Sequence, residues 1–331
     1  MDILLCTDKK YIMPTCVAIK SISSNNNHVH FHVLVDKDVL EFHKAKILKM
    51  IDCERGQKIS FYVLNKEALN NFPLGKEKSY ITLATYYRLF LTDFLPNNIS
   101  KIIYLDGDVI NTEALDELWN TNLGNIPIGA VTDLAEEMQD FNRLGYEKEK
   151  GYFNAGVLLI NVEYWRKHNL KDIFINFIIQ NKDKIKQHDQ DILNMIFYDN
   201  KLELPMKYNV QNGFLVKKEY TPFKNNYKKY ESSLLESIAH PVLIHYTDFK
   251  KPWFIEDCNP FGYYFFKYYK QTEWSCVPLK PCNKSKLRYW GSKILRSLNC
   301  IPPAKTEKEC YYSLFEINRI KNEYEQKNTL D

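Results

Sequence analysis

The sequence contains no Gly-x-Gly-x-x-Gly segment and no Walker lysine loop, so neither dinucleotide nor P-loop phosphate chemistry has support. No apolar run approaches the roughly 20 residues of a membrane-spanning helix. The opening, Met1-Asp2-Ile3-Leu4-Leu5-Cys6-Thr7-Asp8, has an acid second and returns to polar residues after four apolar ones, unlike a secretion signal. Excess charge is also scarce: +4 over 331 residues argues against nucleic acid as a partner. Among eight cysteines there is no Cys-x-x-Cys pair. With Cys6 and Cys16 in apolar surroundings, reduced and mostly buried thiols in a cytosolic protein are expected. There is no internal repeat. A chain that is 45% hydrophobic and 26% charged is an ordinary globular one, long enough for one large α/β domain or two smaller ones.

The organising stretch is Ile102-Ile103-Tyr104-Leu105-Asp106-Gly107-Asp108-Val109-Ile110. Its short, β-branched apolar run reads as a strand buried on both faces that ends in two carboxylates on one face. Adjacent carboxylates repel unless a cation neutralises them, which points to a hard divalent ion. Gly107 would keep the space beside that ion free for a ligand. The alternative is a solvated Asp-Gly-Asp turn.

Around this stretch the pattern alternates. Ile3 to Cys6 reads as a strand, followed by a helix with Pro14 in its first turn that runs to about Asn25. A strand over Val29 to Val35, a helix over Asp38 to Ile51 and a strand over Ile59 to Leu64 follow, so a mainly parallel sheet is expected. Asp8 falls at a strand's carboxyl end, where such sheets place ligand contacts, although local evidence alone favours a helix-capping or loop acid there. Ser79 to Leu91 has helical spacing and carries Arg88, an arginine close enough in sequence to the acidic strand to share its cleft. Pro127 to Thr132 is a further strand ending at Asp133.

Gly151-Tyr152-Phe153-Asn154-Ala155-Gly156 reads as a turn before a strand over Val157 to Val162. Its small residues permit close backbone approach, and the Asn154 amide can both donate and accept. Trp165 to about Lys186 is helical in pattern, and Asp189 and Asp191 sit as first-turn acids of the next helix, with Gln190 between them. Pro241 to Ile244 is the last clear strand and delivers His245, a neutral-imidazole ligand type, with Lys251 six residues on to neutralise phosphate. Phe261 to Tyr269 holds seven aromatics in nine positions and reads as a packed element. Between Lys280 and Arg296 there are six basic and no acidic residues, while Leu287, Trp290, Ile294 and Leu298 share one helical face. Such a helix suits an anionic membrane surface, or docks on the domain by the same stripe.

Six ordered blocks now resemble one family: Leu4-Leu5-Cys6-Thr7-Asp8, Thr85-Tyr86-Tyr87-Arg88-Leu89, Tyr104-Leu105-Asp106-Gly107-Asp108, Tyr152 through Asn161, Asp189-Gln190-Asp191-Ile192-Leu193-Asn194, and His245-Tyr246 with Lys251-Pro252-Trp253. The set resembles glycosyltransferase family 8, the retaining glycogenin and lipopolysaccharide galactosyltransferase family, and within it the lipooligosaccharide α-1,4-galactosyltransferases. The resemblance implies a GT-A fold: an α/β protein with a single Rossmann-like, mostly parallel mixed sheet flanked by helices. Residues 1–275 would form the catalytic domain and 276–331 a basic amphipathic tail. It further implies Mn2+, with Mg2+ as the alternative, a UDP-hexose donor, and an oligosaccharide acceptor of lipopolysaccharide type. By family position Asp106, Asp108 and His245 would hold the metal, with Asp8 and the Cys6 backbone at the uridine. Arg88, Asp133, Asn154, Ala155 and Asp189 would line the donor sugar, Gly107 would border the donor, Lys251 would meet the diphosphate, and Gln190 would lie by the anomeric carbon. The family usually has glycine where this chain has Asp248. An acid there repels phosphate unless it points away or pairs with Lys250.

These implications place the enzyme on the inner face of the cytoplasmic membrane. A protein O-glycan is the alternative acceptor. Two other readings stay open at this level. One is a haloacid-dehalogenase-type phosphatase with Asp106 as nucleophile. The other is a non-catalytic glycan-binding protein.

Overall fold

A computed structural model describes residues 1–64, 83–135, 140–282 and 307–328. The strand–helix alternation produces β1 (Asp2–Thr7), β2 (His30–Asp36), β3 (Lys58–Leu64) and β4 (Lys101–Leu105). The main sheet is completed by β6 (Ile128–Thr132), β7 (Phe153–Asn161) and β8 (Leu202–Glu203), after a short β5 (Val109–Asn111) that belongs elsewhere. The order is β3-β2-β1-β4-β7-β6-β8. Only β7 runs against its neighbours, so the sheet is mixed and mostly parallel, as the GT-A expectation requires.

Strand alternation splits the core between the two faces. Ile3, Leu5, Phe31, Val33, Ile103 and Leu105 pack under the helix Ile12–Asn25. Leu4, Leu34, Ile102, Leu158 and Ile160 pack against Trp165, Phe174 and Ile192 on the other side. Both faces are covered, which explains why the strands read as continuous apolar runs rather than alternating ones.

Several expectations change in detail. The run Ile102–Ile110 is two strands in two sheets: after β4 the chain turns through Asp106–Asp108 and enters β5, which pairs with β10 (Leu243–His245) in a small sheet of order β5-β10-β9, with β9 at Val210–Gln211. Asp106 and Asp108 therefore sit in a turn and not on one strand face, and His245 ends a strand of the small sheet. The strand expected from Val157 begins at Phe153, so Asn154 lies within it. The long helix expected after Trp165 is two, Val162–Lys167 and Leu170–Gln180, broken where Asn169 adopts a left-handed backbone at φ +48°. Arg88 is carried on a 3-10 helix, Leu83–Phe90, where an α-helix was expected.

The seven described cysteines are all free, but only Cys6 and Cys16 are buried. Mostly buried thiols is therefore too broad a reading, because Cys53 and Cys276 are exposed and Cys258, Cys282 and Cys310 partly so. No described helix is long and apolar enough to cross a membrane.

The amphipathic stripe from Leu287 to Leu298 lies outside the described residues. The chain is described again from Glu307. Cys310 O accepts from Lys217 N at 2.9 Å and Leu215 O accepts from Tyr312 N at 2.9 Å, which brings the helix Leu314–Asn328 onto the helix Lys224–Ala239 with Ile317 and Ile320 buried.

Candidate active site

Strand register explains why residues distant in sequence meet. In the β5–β10 pair Val109 opposes His245, so Asp108, one residue before Val109, lies beside the imidazole. Tyr246 N donates to Asp108 O at 3.2 Å, which locks that corner. In the β4–β7 pair Leu105 opposes Val157, and Asp106 N donates to Gly156 O at 2.8 Å. Asp106, Asp108 and His245 thus converge, with one ligand atom from each within 4.8 Å of the others. His245 Nε2 lies 3.4 Å from Asp108 Oδ1 and 3.8 Å from Asp106 Oδ2.

Two glycines make the convergence possible. A Cβ on Gly156 would lie 2.1 Å from His245 Cε1, so only glycine leaves room for the ring against β7. A Cβ on Gly107 would lie 2.8 Å from Thr15 Oγ1. The space that Gly107 keeps free is thus partly occupied by the protein's own helix, although Gly107 also borders the cavity.

The pairing of β6 with β7 shifts register between Ala130 and Thr132, which frees backbone groups of β7 for side chains. Ala155 N donates to Gln190 Oε1 at 3.0 Å and Gly156 N donates to Asn154 Oδ1 at 2.9 Å. These backbone donors fix which end of each amide is oxygen. Gln190 Nε2 and Asn154 Nδ2 then both donate to Asp133 Oδ2, at 3.2 and 3.3 Å. Asn209 Nδ2 donates to Asn154 Oδ1 at 2.9 Å, which leaves Asn209 Oδ1 to accept from His245 Nδ1 at 3.1 Å. With its proton held on Nδ1, the imidazole presents the Nε2 lone pair to the two carboxylates. Asn209 is buried and was not singled out from sequence. Its only signal was a polar residue between Tyr208 and Val210.

The other wall is an ion-pair network. Arg88, 3% exposed, donates from Nη2 to Asp106 Oδ1 at 2.7 Å and meets Asp189 Oδ2 through Nε at 3.0 Å. It also donates to Ala155 O, and its guanidinium stacks 4.0 Å from the Tyr104 ring centre. Tyr104 OH donates to Asp106 Oδ1 at 2.6 Å. Burial would lower the Arg88 pKa, but Asp106 and Asp189 reverse this and raise it. Burial raises the Asp189 carboxyl above its ordinary value against the pull of Arg88, and burial likewise raises Asp133. Asp108 goes the other way: burial pushes it up, yet Lys251 and His245 outweigh that and hold it well below the usual carboxylate range. Lys251 Nζ donates to Asp108 Oδ2 at 2.8 Å and to Tyr246 O at 2.5 Å.

Nearly all the residues anticipated from sequence border a single cavity of about 600 Å³: Cys6, Arg88, Asp106, Gly107, Asp108, Asp133, Asn154, Ala155, Asp189, Gln190, His245 and Lys251. Burial raises the Cys6 thiol, so its side chain stays neutral there. Asp8 does not border the cavity; its Oδ1 accepts from Lys10 N and Tyr11 N at 2.8 and 3.0 Å at the entry to the first helix. Asp191 is also structural, accepting from Arg143, Tyr152 OH and the backbone of Lys186 and Gln187. Asp248 does border the cavity, and so does Tyr311 from the C-terminal segment.

The donor set suits a divalent cation: two carboxylates supply hard oxygen and the imidazole a borderline nitrogen, a mixture that suits Mn2+ better than Mg2+.

An open α/β sheet with its carboxylates, imidazole and buried cations gathered where strands end is the layout of an enzyme that handles an anionic ligand. The glycosyl transferase family 8 model matches residues 2–256, and the chain belongs to that family. It is therefore a glycosyltransferase, and the phosphatase reading falls away.

The chain is 29% identical to lipopolysaccharide 1,2-glucosyltransferase of Escherichia coli, over 84% of this chain and 80% of that protein. It is 28% identical to lipopolysaccharide 1,3-galactosyltransferase of Salmonella typhimurium, over 85% and 82%. It is also 30% identical to the glycosyltransferase GlyA of Streptococcus pneumoniae, of which it spans only 32%. Among solved structures, the galactosyltransferase LgtC in complex with donor and acceptor sugar analogs matches 82% of this chain and 96% of that one, at a TM-score of 0.73 and 29% identity. An active-site mutant of LgtC with glutamine exchanged for glutamate superposes at 0.71.

Proposed function

We propose that the protein is a retaining hexosyltransferase that moves galactose, or alternatively glucose, from a UDP-sugar to a lipooligosaccharide or lipopolysaccharide acceptor with Mn2+. The observation that carries this reading is the meeting of Asp106, Asp108 and His245 beside Lys251 at one cavity in a family 8 fold. Asp106, Asp108 and His245 would hold the ion, which supplies electrophilic stabilisation of the departing diphosphate. Lys251 is the protein's own cation for the same charge. The Cys6 backbone and Asp8, at the end of β1, would meet the uridine. Arg88, Asp133, Asn154, Ala155 and Asp189 would border the sugar.

Gln190 does not suit the role of nucleophile. Its amide oxygen is neutral and already accepts from Ala155 N. The glutamine exchanged in the LgtC active-site mutant supports placing Gln190 by the anomeric carbon. Same-face attack, with the leaving phosphate taking the acceptor's proton, fits this arrangement better than a covalent glycosyl-enzyme.

A panel of UDP-, GDP- and ADP-sugars assayed for hydrolysis with Mn2+ tests the proposal. UDP-galactose or UDP-glucose should turn over fastest. Binding of UDP and Mn2+ with no turnover of any donor would support the non-catalytic alternative.

Two details carry their own tests. Asp248 adds a negative charge to the cavity wall, and its field helps raise Asp257 to about 6, after burial as the main cause. Asp248→Gly should tighten UDP binding several-fold in calorimetry, because it removes a carboxylate from the diphosphate's side. An unchanged affinity would mean that the carboxylate is neutralised in place.

The basic segment from Lys280 to Arg296 would hold the enzyme to an anionic membrane, each basic group adding up to ~1 kcal/mol. Exchanging Lys284, Lys286, Arg288 and Lys293 for glutamine should release it from phosphatidylglycerol vesicles while sparing activity on a soluble acceptor. Point exchanges are preferred to truncation, because cutting after Val277 would also remove Tyr311 from the cavity wall.

A further inference from the structure

A second cluster lies at the other end of the sheet. We propose that Asp2, His30 and His32 form a structural site for a transition-metal dication of the zinc class, separate from the catalytic cavity.

The site follows from strand register. In the parallel β1–β2 pair Asp2 aligns with His30 and Leu4 with His32, and two residues apart on one strand means the same face. Both imidazoles therefore stand over the start of β1. His32 Nε2 lies 3.0 Å from Asp2 Oδ1, His30 Nδ1 lies 3.7 Å from the same oxygen, and the ring centres are 4.1 Å apart. The three ligand atoms all fall within 4.8 Å of one another. Around a tetrahedral zinc with bonds near 2.0–2.1 Å, neighbouring ligand atoms stand roughly 3.3 Å apart, and the two distances to Asp2 straddle that value.

The remote nitrogen of each ring is also occupied. β3 aligns Ser60 with His32 and Tyr62 with Leu34, and its hydroxyls reach across: Ser60 Oγ lies 2.9 Å from His30 Nε2, and Tyr62 OH lies 2.9 Å from His32 Nδ1. Each imidazole is thus anchored at its outer nitrogen and aims its inner nitrogen at one shared carboxylate oxygen. This is how a metal-ligating histidine is held. A plain histidine–aspartate pair explains one such contact, but it gives no reason for a second ring to converge on the same atom.

Two imidazoles and one carboxylate select zinc, cobalt or nickel over calcium or magnesium. Asp2 and His30 are part-exposed while His32 is fully buried, so solvent can supply a fourth ligand. A bound ion would tie the first residues of β1 and β2 together and, through Ser60 and Tyr62, the edge strand β3. Cys6, on the cavity wall, is four residues of extended strand further on, roughly 13 Å. The ion would therefore brace the sheet without taking part in transfer.

The experiment compares the full-length, chelator-stripped protein with His30→Gln and Asp2→Asn, titrating each with Co2+ by visible absorption and with Zn2+ by calorimetry. The wild type should bind one equivalent more than either variant, with a tetrahedral Co2+ spectrum in the difference and a Zn2+-dependent rise in Tm that both variants lose. Affinity at this site should fall at least about 100-fold in the variants, and about 10-fold in Tyr62→Phe. Sugar-donor hydrolysis should be the same in all. Equal stoichiometry and equal Zn2+-induced Tm shifts in wild type and both variants would overturn the proposal. If one variant fails to fold, the other together with Tyr62→Phe decides it by the same comparison.

Discussion

Arg88→Met should destabilise the protein by about 3–5 kcal/mol at neutral pH, the range measured when one partner of a buried ion pair is removed. Arg88 is the cation between Asp106 and Asp189. Methionine replaces its length and bulk but leaves two carboxylates facing each other. The pH dependence identifies the cause. Burial already raises Asp189 above its ordinary value in the folded protein, and without Arg88 it must rise further. A folded pKa above the unfolded one favours the fold below the unfolded value, and that contribution is lost as pH rises through the folded pKa. The variant's deficit should therefore be largest at neutral pH and shrink as pH falls toward the carboxylate range. Urea unfolding at several pH values checks this. A deficit independent of pH would mean that Arg88 stabilises by packing on Tyr104 and not by charge.

Gly156→Ala should abolish metal-dependent donor turnover, by more than about 100-fold, while costing far less in stability than Arg88→Met. Its new methyl would lie 2.1 Å from His245 Cε1, and a β-strand cannot yield by that much. The ring must leave the carboxylates. Asn209→Ala provides the graded comparison: it removes the acceptor that holds the His245 proton on Nδ1 without blocking space. Loss of such an outer hydrogen bond weakens metal binding about 10–100-fold. Calorimetric titration of Mn2+ in the presence of UDP measures both. The expected order of affinity is wild type, then Asn209→Ala, then Gly156→Ala. An Asn209→Ala protein as weak as Gly156→Ala would mean that the amide chain supports the whole loop and not one tautomer.

How much of this was legible follows from what sequence encodes locally. Composition of the strands is local, and the apolar runs at Ile3, Val29, Ile102 and Ile128 marked strands correctly because both sheet faces are covered there, while the run at Ile59 marked a half-exposed edge strand. The acids that follow them were legible for the same reason. Which sheet a strand joins is not local. Nothing within Ile102–Ile110 says that the chain changes sheets at Asp106, because both halves are equally apolar and the change is decided by where β10 returns. Asn209 escaped notice because its role depends on three amide orientations that only a backbone donor in β7 fixes. Asp8 shows the opposite case. Local sequence favoured a helix-capping or loop acid there over a ligand contact, and its carboxylate does accept from Lys10 N and Tyr11 N at the helix entry.

The return of the Tyr311 segment to the cavity has an evolutionary consequence. The family model stops at residue 256, whereas Tyr311 and the helix that anchors it lie beyond that point. The parts common to the family and a part of the cavity rim are thus encoded in separate stretches of the gene. Mutation around Tyr311 can remodel the rim without touching Asp106, Asp108 or His245.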